Sequence, residues 1–171
     1  IAKDATARGF DEINFDYIRF ATDGDLEDVV YPFYDEVTPK HEIVRQFFSY
    51  ARSHLPKAHL SADLFGEVTY QKGDSGIGQK LEDAFPYFDA VSPMTYPSHY
   101  SKNFLGFENS AEHPYEVMKY SIEHALNRLA VFYEPLPSDS PDAPLIARVD
   151  SFSVRSKIRP WIQDFDLGAD Y

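Results

Sequence analysis

The chain has 171 residues, 16 basic against 28 acidic, a formal charge of −12 and no cysteine. The missing basic excess argues against duplex DNA, RNA and anionic membrane surfaces as partners. The lack of cysteine excludes a disulfide framework and a thiolate site, and no apolar run is long enough for a transmembrane segment.

Hydrophobic residues make up 43% of the chain, enough to expect a packed core. Aromatics are 16%, which suits a heavily packed core and aromatic carbohydrate-lining walls equally. No signal peptide is visible. The opening "IAKDATARGF" reads as the end of a helix stopped by Gly9, so a preceding segment is expected. "GFDEINFDYIRFATDG" then alternates: Ile13, Phe15 and Tyr17 on one side, Glu12, Asn14 and Asp16 on the other. That pattern predicts a strand over 12–20. An acidic loop with Pro32 leads to a helix from about His41 to Leu55, with Ile43, Phe47, Ala51 and Leu55 at helical spacing. Thr38 precedes it and Pro39 is placed at its first position.

"KAHLSADLFG" (57–66) is the second predicted strand, with Leu60, Ala62 and Leu64 alternating with Ser61 and Asp63. "GQKLEDAFPYF" is a short helix ended near Pro86, and "FDAVSPMTYPSHY" (88–100) a third strand. A helix over 115–130 follows, with Val117, Ile122, Ala125 and Leu129 roughly on one side. The Pro/Ser/Asp-rich stretch near 135–144 reads as an exposed excursion, and "KIRPWIQDF" (157–165) as a fourth strand. No internal repeat is evident.

Strands alternating with helices predict an α/β domain with parallel strands. In a barrel of such units one strand face meets the helices, the other fills the interior, and the loops after the strands form the active face. Ile13, Phe15 and Tyr17 would then pack on helices. Asn14, Asp16, Ser61 and Asp63 would point inward, with Asp16 and Asp63 near the C-terminal strand ends. Two such carboxylates are hard to justify as packing alone, because burying an unpaired charge is costly.

The segments "GFDEINFDYIRFATDG", "SADLFG", "GIGQKLEDAFPYFDAVSPMTYPSHY", "HPYEV" and "KIRPWIQDF" resemble, in the same order, a bacterial glycoside hydrolase domain family long described as being of unknown function. That family is treated as a (β/α)8 TIM-type barrel distantly similar to the α-amylase-like glycosidases. The resemblance implies that the four strands are the fourth to seventh of a barrel. A whole barrel is usually about 250 residues, so residues 1–171 would be one partial domain, the C-terminal portion. The 132–155 insertion is atypical of the family. Such a fragment is expected to need its missing half or to self-associate. The resemblance also favours an extracellular or cell-envelope location.

Glycoside hydrolysis uses two carboxyl groups flanking the bond, and Asp16 and Asp63 are the natural pair. By analogy Asp16 stands where the nucleophile would be. Asp63, or nearby Glu67, stands at the acid/base position, which in the α-amylase-like enzymes is normally Glu. Asp164 is near the expected third carboxylate, although alternation puts Gln163 rather than Asp164 on the face shared with Trp161. Tyr96 and Trp161 are candidates for sugar stacking, His99 and Gln163 for bonds to hydroxyls, and Arg19 for orienting Asp16. The bland alternatives are an Asp16–Arg19 ion pair, a hydrogen-bonded buried Asp63, and aromatics that simply pack. The six histidines show no metal-binding spacing, "GDSGIG" lacks a phosphate-loop lysine, and no G-x-S-x-G is present. No metal and no cofactor is therefore expected. The sequence points to an O-glycosidase acting on a polysaccharide, with a non-catalytic carbohydrate-binding barrel as the rival and an unrelated barrel activity behind it.

Overall fold

The computed structural model describes residues 1–132, 155 and 157–165. Three strands, β1 (Glu12–Phe15), β2 (His59–Phe65) and β3 (Ala90–Met94), form a parallel sheet in the order β1-β2-β3. The α-helices among the described residues are α1 (Ala2–Ala7), α2 (Lys40–His54), α3 (Leu81–Ala84) and α4 (Pro114–Phe132). Beyond β3, Ile158 bridges Val91 and Trp161 bridges Met94, both in parallel sense. The alternating α/β order is thus present, and the segment after residue 156 lies beside β3. The 132–155 insertion, apart from Phe132 and Arg155, falls outside the described residues.

The core forms where helix faces meet one side of the sheet. Phe48 of α2, Leu60 and Leu64 of β2, Leu81 of α3 and Leu129 of α4 are fully buried, together with Phe85 and Phe88. Ile13 and Phe15 pack against this cluster. Arg52 at the end of α2 ties the layers, donating to the carbonyls of Tyr87 and Ala58 and pairing with Asp89 at 2.7 Å. Asp89 also accepts the Leu60 amide.

Several element boundaries differ from the sequence expectation. The first strand stops at Phe15, not near residue 20. Asp16 Oδ1 accepts the Tyr17 amide at 2.7 Å, so that donor is satisfied locally instead of by a neighbouring strand. Tyr17 takes φ +58° and is 75% exposed, so it does not pack on helices. The chain turns back at Phe20, which re-enters the core and donates its amide to Ile77 O. The third strand ends at Met94, and 97–99 is a single 3-10 turn opened by Pro97. In the last segment only Ile158 and Trp161 bridge; Pro160 between them has no amide to give a ladder.

Helix α2 starts one residue earlier than expected. Pro39 is its N-cap rather than its first helical residue, and Thr38 is engaged by Asp35 instead. The buried line of α2 is Val44, Phe48 and Ala51, continued by Leu55 at its C-cap. Phe47 is 39% exposed and meets the Phe15 ring edge-on. The expected stripe through Phe47 and the observed one through Phe48 lie side by side on the helix, and packing against the core, Phe88 included, selects the second. In α4 the same selection gives Val117, Ser121, Ala125 and Leu129 as buried, with Ile122 at the margin.

Candidate active site

The C-terminal ends of the three strands open into a cleft of about 540 Å³. Its walls include Asp16 after β1, Asp63 and Glu67 at the end of β2, and Tyr96 and His99 after β3, with Arg19 beside them. This is where a parallel α/β sheet exposes loop residues that its strands hold rigidly.

Asp63 is the fixed point of the cleft. It is only 7% exposed, and each oxygen has its own donor. Asn14 Nδ2 donates to Oδ2 at 2.9 Å and Trp161 Nε1 donates to Oδ1 at 2.8 Å. The register explains the first contact: Asn14 pairs with Ser61, so its side chain lies one step along the same face from Asp63. The network continues away from the cleft. The Ser61 hydroxyl is within hydrogen-bond reach of Asn14 Oδ1 and of the Glu12 carboxylate. Glu12 in turn receives the Arg159 guanidinium. That hydrogen bond holds the Glu12 carboxyl below its usual range despite some burial, with Ser61 and the charges of Arg159 and His59 adding to it. The Arg159 guanidinium is correspondingly held above its ordinary value.

Asp16 is exposed, and its side chain accepts only the Tyr17 amide among the described residues. Arg19 does not pair with it. The Arg19 guanidinium lies 4.8 Å from the Tyr17 ring centroid and 4.7 Å from that of Phe65, and donates to Phe20 O and Thr22 Oγ1. Its nearest carboxylate is Asp23 at 3.6 Å. The orienting contact and the ion pair expected between Arg19 and Asp16 are therefore both replaced by a cation–π sandwich. Tyr96 packs edge-on against His99 and Phe165. Burial raises its phenol pKa, and the charges of Asp63 and Asp16 raise it further, so the hydroxyl feels both carboxylates.

Three expected site residues stand elsewhere. The half-exposed Trp161 does not line the cleft; it reaches Asp63 through its indole N–H. Gln163 is buried and accepts the Ser98 amide and hydroxyl while donating to Phe165 O, which anchors the loop after β3. Asp164 is exposed and lies outside the cleft lining. Sequence reasoning missed Gln79, which is 1% exposed and lines the cleft. It donates to Ile18 O and accepts the Phe65 amide, joining the ends of β1 and β2. Nothing in "GIGQ" marks it, because both partners are backbone groups remote in sequence.

A family described as "Putative glycosyl hydrolase domain" matches residues 1–171, the whole chain. The chain belongs to this family. No curated protein and no solved structure matches it. The chemistry of a glycosyl hydrolase domain calls for paired carboxyl groups, and four line this one cleft: Asp16, Asp63, Glu67 and, beside Arg19, Asp23. Among the described residues, no group of three or more His, Asp or Glu is arranged to hold a metal ion, and no helix is long and apolar enough to cross a membrane.

Proposed function

We propose that the protein hydrolyses O-glycosidic bonds of a neutral polysaccharide at the cleft formed by Asp16, Asp63 and Glu67. The observation that carries this is the convergence of Asp16, Asp63, Glu67 and the Tyr96 ring on one cleft at the C-terminal strand ends. In the reaction a carboxylic acid gives its proton to the glycosidic oxygen, which leaves with the electron pair of the C1–O bond. A second carboxylate either attacks C1, to be displaced later by water, or takes a proton from the water that attacks C1. One water is consumed and two hydroxyl ends are formed. Asp16, Asp23, Asp63 and Glu67 outweigh Arg19 in the lining, which disfavours anionic sugars.

The unit fits one part of a (β/α)8 barrel. Its parallel strands run in chain order, a further segment lies parallel beside β3, and β1 has one strand neighbour among the described residues. The test is a panel of neutral polysaccharides scored for new reducing ends. Hydrolysis of at least one is expected, with Asp63→Asn lowering turnover by at least about a hundredfold while glycan binding persists. A protein that binds a glycan but releases no reducing ends is a carbohydrate-binding module instead.

A further inference from the structure

We infer that Trp161 and Asn14 are positioning residues that hold Asp63 as the anionic carboxylate of the pair, leaving proton donation to Asp16 or Glu67. This rests on the glycosidase reading above and departs from the α-amylase analogy, which places Asp16 rather than Asp63 as the nucleophile. The argument is one of donors and acceptors. An indole N–H can only donate, and Trp161 gives it to Asp63 Oδ1 at 2.8 Å. Asn14 gives its amide hydrogen to Oδ2 at 2.9 Å while its own oxygen faces the Ser61 hydroxyl. Reversing that amide would set its carbonyl against Asp63 Oδ2, an arrangement tolerable only with a proton between them. Both oxygens of a nearly buried carboxyl group thus meet donors, so it is held in one orientation as an acceptor and presents no hydrogen of its own to a leaving oxygen.

Asp23 in the same lining is engaged by Thr22 and Arg19, whereas Asp16 and Glu67 differ in kind from Asp63. Asp16 is exposed and held only by the Tyr17 amide, and the exposed Glu67 carboxyl has no hydrogen-bond or ion-pair partner among the described residues. Each is free to turn toward a leaving oxygen. Trp161 is accordingly tied to the site by its N–H and not by its face. Its placement is fixed by the Met94 bridge on one side and by Arg159, two residues earlier, anchored on Glu12.

The experiment compares the cleaved polysaccharide with a 2,4-dinitrophenyl glycoside of the sugar that the wild type releases. Dinitrophenolate leaves without protonation, so a variant lacking the proton donor keeps the kcat/KM of bond cleavage on that substrate. Asp63→Ala is expected to lose turnover on both substrates. Either Asp16→Ala or Glu67→Ala is expected to lose the polysaccharide and retain the aryl glycoside. Trp161→Phe keeps a ring and removes the N–H; a kcat about tenfold to a hundredfold lower is expected, with KM and melting temperature unchanged. Asp63→Ala that still cleaves the aryl glycoside overturns the inference, as does Trp161→Phe with a wild-type kcat or a defect confined to KM. A wild type inactive on every glycan overturns the glycosidase reading, and the inference with it.

Discussion

Gly66 shows how closely single residues constrain the cleft. It stands where β2 ends, between Asp63 and Glu67. A Cβ there would meet Met94 O at 2.5 Å and the Tyr100 hydroxyl at 3.0 Å. The carbonyl belongs to β3 and cannot move without shifting the strand that carries Tyr96. Gly66→Ala is therefore expected to destabilise the protein by about 1–3 kcal/mol and to depress activity through the separation of the two strand ends. Urea unfolding of the variant measures this. Gly73→Ala is the control, since Gly73 has open space and no positive φ; a Gly66→Ala protein as stable as that control would contradict the close approach.

At the scale of elements, α2 is held by one face, and the choice of face is testable. Phe48 is fully buried and meets Phe88 with ring centroids 5.1 Å apart. Phe47, one position away, is 39% exposed. Phe48→Ala removes a buried ring and leaves a cavity, at a cost of about 3–5 kcal/mol, whereas Phe47→Ala is expected to cost clearly less. Chemical denaturation of both variants decides, and equal losses would mean that the helix is rotated from the position described. The Arg52 side chain reinforces the same docking by reaching two carbonyls and Asp89.

For the molecule as a whole, acid stability follows from carboxylates tied across the sheet. Glu12 is held below its ordinary value chiefly by the Arg159 hydrogen bond. For Asp89, burial pushes upward, but the Leu60 amide and Arg52 outweigh it and the net direction is down. A carboxyl whose folded pKa lies below its unfolded value stabilises the fold above the unfolded value and loses that contribution as pH falls through the folded one. The relevant unfolded values are 4.5 for Glu12 and 3.8 for Asp89. Melting temperature is expected to be flat near neutrality and to fall steeply below about pH 4. Glu12→Gln and Asp89→Asn should each be less stable than wild type at pH 7, with the gap narrowing toward pH 3. A gap that stays constant with pH would show that these carboxylates do not contribute through their charge.

The alternation of Ile13 and Phe15 with Asn14, and of Leu60, Ala62 and Leu64 with Ser61 and Asp63, determined by itself that these segments are strands with one apolar and one polar face. Helical spacing likewise determined α2 and α4, because both signals are local and repeat. The positions of Asp16 and Asp63 near strand ends were legible for the same reason. What the tertiary structure alone decided was who meets whom. Trp161 as a donor to Asp63, Arg19 between two rings, Gln79 between two strand ends and Phe48 rather than Phe47 in the core all depend on partners distant in the chain. Periodicity states which way a side chain points from its own backbone. It carries no information about what packing brings opposite, and a hydrogen bond or a buried ring is defined by that second partner.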